Sequence, residues 1–276
     1  MPIPKLIKNR RATTIKMRAI SRFAAKILIF ISLAVAGQTA RAGEKITIAA
    51  AADLKFALEE IVVLFNKTHP AGQVETIYGS SGKFQTQIRQ GAPFDLYFSA
   101  DIAYPRALKA KGFAASEVQP YAVGRIVLWS PSRDASRMTP ADLVDQSIGK
   151  IAIANPKHAP YGKRAEEALK ASGVWEKVKA KLVYGENVAQ TVQFVQTGNA
   201  QVGIVALSLA LSQELSKQGS YALIHDTLHQ PLEQGFIITQ RAAANPLAQA
   251  FARFMAGQEA RAVMTRYGFV LTDAIQ

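Results

Sequence analysis

Tyr78-Gly79-Ser80-Ser81-Gly82-Lys83 is the stretch on which the fold turns. Residues 74–78 before it read as a strand, and Phe84 and Ile88 after it stand one helical turn apart. A strand that runs through a small-residue turn straight into a helix is the unit of an α/β sheet. The turn also carries chemistry. Free backbone N–H groups, two hydroxyls and the positive end of a helix dipole suit an anion, and the glycines let the backbone come close to one. A serine that merely caps the helix accounts for the same residues equally well. The two readings part only if other helix starts converge on the same place.

Working outward, the same rhythm recurs. Residues 45–51 form a predicted strand followed by Asp53 at a helix N-cap, with Leu54, Ala57, Leu58, Ile61, Leu64 and Phe65 at helical spacing. Predicted strand 94–99 leads into a helix at 101–111 with Gly112 beyond it. A strand at 122–129 crosses into a second region. There, strand 150–154, the loop Asn155-Pro156-Lys157-His158-Ala159-Pro160-Tyr161-Gly162 and helix 163–172 repeat the pattern. Strand 182–184 follows, then Asn187 as cap of helix 188–196, strand 202–207, helix 209–217 and strand 221–225. Residues 229–239 return the chain to the first region, and helices at 246–255 and 258–266 end it, the former with Asn245 as cap and Pro246 at its first position. Ligands of such sheets bind beyond the carboxyl ends of the strands, where Asp53, Ser80, Ser81, Tyr161 and Val188 all fall.

The 276 residues carry a net charge of +13, but the charge is unevenly spread. Residues 1–42 hold nine Lys or Arg and no acid, which leaves 24 basic against 20 acidic residues in the remainder. The basic run to Lys26, the apolar run at 27–36 and Ala40-Arg41-Ala42 predict a signal peptide cleaved after Ala42 and an exported mature chain. The apolar run is shorter than the ~20 residues a membrane span needs.

Several chemistries are excluded or disfavoured. With no cysteine, thiolate metal sites, thiol nucleophiles and disulfides are ruled out. Lys83 is followed by Phe84, so Gly79–Lys83 is no phosphate-binding P-loop. No His or carboxylate spacing points to a bound metal ion. The aromatics do not interleave with a basic face, which argues against nucleic acid. A serine hydrolase would need Ser81 with His158 as base, and there is no Gly-x-Ser-x-Gly elbow.

Ile46–Leu54, Gly79–Gly82, Gly91–Asp101 (Gly-Ala-Pro-Phe-Asp-Leu-Tyr-Phe-Ser-Ala-Asp), Asn155–Gly162 and Gly203–Ala206 together resemble the molybdate-binding periplasmic proteins of ABC importers, in order, across nearly all of 44–271. The resemblance implies a two-lobe α/β fold of the type II periplasmic-binding class with mixed, mostly parallel sheets. It places a signal peptide at 1–42, lobe 1 at 43–124 plus 229–276, and lobe 2 at 125–228. It implies a periplasmic monomer that captures molybdate or tungstate and delivers it to a permease and ATPase complex. Neither enzymatic activity nor a cofactor is implied. By position, Ser81 would donate hydroxyl and N–H, and Tyr161 and Val188 would donate N–H. Molybdenum would be held only as its oxyanion, never through a direct metal bond. Another oxyanion, such as sulfate or phosphate, is the alternative ligand, and a serine hydrolase using Ser81 and His158 is the alternative of a different class. Two departures stand out: Ala206 lacks the tyrosine hydroxyl of some members, and Asp53 replaces a neutral hydroxyl or amide. A carboxylate about 4 Å from a dianion would cost on the order of 8 kcal/mol at an effective dielectric of 20. Asp53 is therefore expected to turn away and cap its own helix.

Overall fold

The computed structural model describes residue 2 and residues 45–272; the predicted signal peptide lies outside the described residues. Eleven strands are described: β1 (Lys45–Ala51), β2 (Gln73–Gly79), β3 (Leu96–Ser99), β4 (Gln119–Gly124), β5 (Ile126–Ser130), β6 (Ile151–Ala154), β7 (Leu182–Gly185), β8 (Val202–Ala206), β9 (Ser220–Leu223), β10 (Leu232–Ile238) and β11 (Val270–Leu271). They form two sheets, ordered β11-β4-β10-β3-β1-β2 and β7-β6-β8-β5-β9.

Each sheet combines a parallel part with an antiparallel part. In the first, β1 runs parallel to β2 and β3, while β10 runs antiparallel to β3 and β4, and β11 to β4. In the second, β6 runs parallel to β7 and β8, while β5 runs antiparallel to β8 and β9. The residue types follow from this placement. Central strands β6 and β8 (Ile-Ala-Ile-Ala and Val-Gly-Ile-Val-Ala) are buried throughout, as strands covered on both faces must be. Edge strand β2 alternates exposed and half-buried residues.

The single strand expected at 122–129 is two strands. Arg125 alone separates β4 from β5, and the break moves the chain from one sheet to the other. The chain returns between β9 and β10. Phe65, Phe98 and Phe251 anchor a core on one side of the first sheet, and Ala49, Phe84 and Tyr97 one on the other. The core of the second sheet, around Val127, Trp129, Ile151 and Ile153, runs on without interruption through Ala51, Ala52, Ala100, Tyr161 and Val188, which belong to the strand ends and helix starts between the sheets.

Among the described residues no helix is long and apolar enough to cross a membrane. The helix expected at 209–217 is reduced to two short turns, Leu207–Ala210 and Leu215–Lys217.

Candidate anion-binding site

Four parallel strands deliver the chain into four helical starts. β1 runs into the turn Ala52–Leu54 ahead of helix Lys55–Thr68, and β2 through Ser80 into helix Ser81–Arg89. β6 reaches helix Pro160–Ala171 after Ala159, and β7 reaches helix Val188–Gln196 after Asn187. The first residues of all four, with Ala100, line one cavity of about 10 Å³, room for about one water molecule. Asp53, Ser80, Ser81, Tyr161 and Val188, far apart in sequence, all face it.

Ser81 is the best-prepared donor. It is 1% exposed. Its Oγ accepts from the Ala100 N–H at 3.0 Å, and its carbonyl accepts from the Tyr97 hydroxyl at 2.7 Å. No described residue accepts the Ser81 hydroxyl hydrogen, so that proton is free for an oxyanion. Pro160 holds the first position of its helix and has no N–H, which makes Tyr161 N–H the first orphan donor there. Val188 N–H opens its helix, whose start is fixed by Asn187 Oδ1 accepting from Gln190 N–H at 3.0 Å.

Asp53 does not cap its helix, contrary to expectation. It lies inside the Ala52–Leu54 turn, the cap position of helix Lys55–Thr68 is Leu54, and no side-chain cap bond forms at either start. The carboxylate turns inward instead. Oδ2 accepts from the Tyr161 hydroxyl at 3.0 Å and from Gln234 Nε2 at 2.8 Å. The Tyr121 hydroxyl donates to Gln234 Oε1 at 2.6 Å, and Ser208 Oγ donates to the Asp53 carbonyl at 2.7 Å. Burial pushes the Asp53 carboxyl up to about 6, with the Gln234 and Tyr161 bonds pulling it partly back. Burial and the neighbouring Asp53 charge raise the Tyr161 phenol well above its ordinary value, so it stays a donor. Sequence reading did not find Gln234, Tyr121, Ser208 or the Tyr161 hydroxyl. The one available signal was Gln234 itself, a polar residue within the buried run of β10.

Ser80 is placed differently from Ser81. It occupies the cap position, but its hydroxyl makes no cap bond. It donates to the His158 carbonyl and lies 3.0 Å from His158 Nδ1, and Gly82 N–H donates to the same carbonyl at 3.0 Å. The pairing of Ser81 with His158 that a hydrolase would need is absent; the serine beside His158 is Ser80, and its hydroxyl proton goes to a carbonyl oxygen. His158 Nε2 lies 3.2 Å from Glu186, which also pairs with Lys83. Desolvation lowers the His158 imidazole, with Glu186 opposing that and Lys83 adding to it. These contacts join the Ser81 helix start to the loop before Pro160 and to the turn after β7.

No cationic side chain lines the cavity. The buried Arg164 is paired with Glu167 at 2.7 Å, while Lys157 and Lys163 are exposed. Apart from Asp53, an anion here would meet hydroxyls, amide hydrogens and helix dipoles. Ala206 is fully buried at the end of β8 and does not line the cavity. Among the described residues no cluster of His, Asp or Glu could hold a metal ion.

Residues 46–270 match the family model described as bacterial extracellular solute-binding protein. The chain is 38% identical over 234 residues to the molybdate-binding protein ModA of Rhodobacter capsulatus, covering 84% of this chain and 90% of that one. It is 37% identical over 240 residues to ModA of Azotobacter vinelandii, covering 87% and 93%. The solved periplasmic molybdate-binding protein of Azotobacter vinelandii superposes with a TM-score of 0.77 at 30% identity, covering 83% of this chain and all of that one.

Proposed function

From the premise that this chain belongs to the bacterial extracellular solute-binding proteins, we propose that it captures molybdate, a tetrahedral oxyanion, between its two sheets and delivers it to an ABC importer. It is a transport protein and not an enzyme, as its relatives are. Molybdate is cargo rather than cofactor.

The observation that carries this reading is the convergence of four helix starts on one cavity lined without a cation. A dianion in such a site is held by charge-assisted bonds from neutral donors. Ser81 gives its hydroxyl and N–H, and Tyr161 and Val188 give N–H. Ser80 shapes the wall through His158 rather than donating its hydroxyl. Tungstate, with the same charge and shape, binds alongside molybdate, and sulfate is rejected on size. The described residues of 43–124 and 229–276 form one lobe and 125–228 the other, hinged at Arg125 and at the return between β9 and β10. The mature protein works as a monomer in the periplasm, where its molybdate-binding relative is found, and docks on the permease of a permease and ATPase complex.

A thermal-shift and calorimetry panel of molybdate, tungstate, sulfate and phosphate on the mature chain tests the reading. Saturating molybdate and tungstate raise the unfolding temperature and sulfate does not. A response to sulfate or phosphate alone would transfer the assignment to that anion.

A further inference from the structure

The family to which this chain belongs handles its oxyanion with neutral donors in the resemblance drawn above, yet here an aspartate lines the same cavity. Asp53 is 1% exposed and lines the space on which the helix starts converge. One of its oxygens is fully committed. Oδ2 accepts from both Tyr161 and Gln234. The Gln234 amide cannot flip to offer its oxygen instead, because that oxygen already accepts from the Tyr121 hydroxyl. The other oxygen, Oδ1, is buried and has no hydrogen-bond partner. A buried carboxylate oxygen with no donor is costly, and an oxyanion brought against it makes matters worse by repulsion.

The surroundings supply no compensating charge. The phenols of Tyr161 and Tyr121 face Asp53 and are both raised well above their ordinary value, so neither ionises. Among the elements packed on the Ala52–Leu54 turn, helix Lys55–Thr68 carries Lys55, whose ammonium sits over the Phe56 ring, and Glu60, which pairs with Arg266. Its Glu59 acts on Tyr78 of β2, and Glu75 of β2 pairs with Lys45. Helix Val188–Gln196 has no charged side chain, and the Leu207–Ala210 turn contributes the Ser208 hydroxyl. Lys83, Glu186 and His158 are engaged with one another at the neighbouring helix starts. No described residue forms an ion pair with Asp53.

We propose that Asp53 enters the complex protonated: Oδ1 becomes a hydroxyl that donates to one oxygen of the bound oxyanion, so that binding takes one proton from solvent. The proton converts the one repulsive group in the cavity into a donor, and Oδ2 keeps both of its bonds as a carbonyl-like acceptor. The carboxyl ordinarily titrates near 4 but is already held at about 6 by burial working against its hydrogen bonds, so the protonated form lies within reach at neutral pH. Oxyanion capture is then linked to pH, being favoured in acid.

This inference rests on the molybdate reading, and the test separates the two. The mature protein and Asp53→Asn are titrated with molybdate by calorimetry between about pH 6 and pH 8.5, in buffers of different ionisation enthalpy. In wild type, close to one proton is taken up per molybdate near pH 8, and affinity weakens by roughly tenfold per pH unit above about 6.5. In Asp53→Asn the amide oxygen replaces Oδ2, the amide N–H replaces the acidic proton, and both the proton uptake and the pH slope disappear. Asp53→Ser, which also offers a neutral donor, loses the slope in the same way, and thermal unfolding of both variants verifies their fold. Wild-type affinity that stays flat above about pH 6.5 with no proton uptake overturns the proposal while leaving molybdate binding intact. Inorganic phosphate preferred over molybdate, bound without proton uptake, also overturns it, since an ionised Asp53 would then be accepting from a protonated ligand. A wild-type protein silent to every oxyanion overturns the functional reading and this one with it.

Discussion

At the scale of single residues, Asp53 leaves a mark on stability even without ligand. Its carboxyl is held at about 6 against an unfolded value of 3.8. The folded state therefore binds more protons than the unfolded chain between those two values, so stability falls as pH rises from about 4 to about 6 and stays lower beyond. The difference corresponds to about 3 kcal/mol at 1.36 kcal/mol per unit. Asp53→Asn removes the ionisation while keeping an acceptor for Tyr161 and Gln234. Chemical denaturation near pH 8 should find the variant about 2–3 kcal/mol more stable than wild type, with the gap closing near pH 4. Ser81 makes the opposite case. Ser81→Ala removes a hydroxyl hydrogen that no described protein group uses, so oxyanion affinity should drop by about tenfold to a hundredfold. It also deprives the Ala100 N–H of its acceptor, which costs the free protein about 1–2 kcal/mol. Ser80→Ala loosens the contact with His158 and should reduce affinity less than Ser81→Ala does, by the same calorimetry.

At the scale of elements, short-range patterns were readable and long-range partnerships were not. Asn187 and Asn245 cap their helices as expected, because a cap bond spans two or three residues. The glycine- and serine-rich turn after β2, the loop before Tyr161 and the start at Val188 were all placed on the correct side of their strands. Asp53 obeys the same local rule in sequence and breaks it in the fold. Its partners Tyr161 and Gln234 lie 108 and 181 residues away, and two buried donors outweigh one solvent-facing cap. The crossing between sheets was legible at 122–129, but its division into two strands was not, since a single strand can carry the lone charge of Arg125 and pairing, not propensity, decides where the run divides. The element most sensitive to a single atom is helix Pro160–Ala171. A Cβ on Gly162 would sit 1.9 Å from the Ala154 carbonyl oxygen of β6, so the helix can approach its strand only with glycine there. Gly162→Ala should push the helix outward, withdraw the Tyr161 N–H and break the Tyr161–Asp53 bond. The expected outcome is a loss of about 1–3 kcal/mol or more of stability, read by denaturation, together with loss of oxyanion binding.

At the scale of the whole molecule, the cavity and the contacts around it imply motion. About 10 Å³ holds about one water molecule, whereas a tetrahedral oxyanion brings five heavy atoms; the two sheets must part to admit it. Beyond the buried Tyr161–Asp53 and Ser208–Asp53 bonds and the shared apolar core, the contacts between them are slight. Gly82 N–H and the Ser80 hydroxyl meet the His158 carbonyl, and Lys83 and His158 meet a half-exposed Glu186. Exposed pairs of that kind contribute at most about 1 kcal/mol. A ligand that binds only the closed form will shift the balance between open and closed cleft by its own binding energy. The chain has no cysteine, so spin labels at Gln87→Cys and Lys163→Cys, both exposed on helices flanking the cleft, report the gap cleanly. Free protein should give a broad distribution, and molybdate should collapse it to the shorter distance. Gly82→Ala sharpens the test, because the added methyl would lie 2.8 Å from the His158 carbonyl oxygen and wedge the two sides apart. It should lengthen the mean distance without ligand and weaken apparent affinity in proportion to the closed fraction lost, while the shortest distance at saturation stays near that of wild type. Identical distributions with and without molybdate in the wild-type protein would show that the helix starts are fixed in place, and that the oxyanion must be accommodated by rearrangement within the cavity wall.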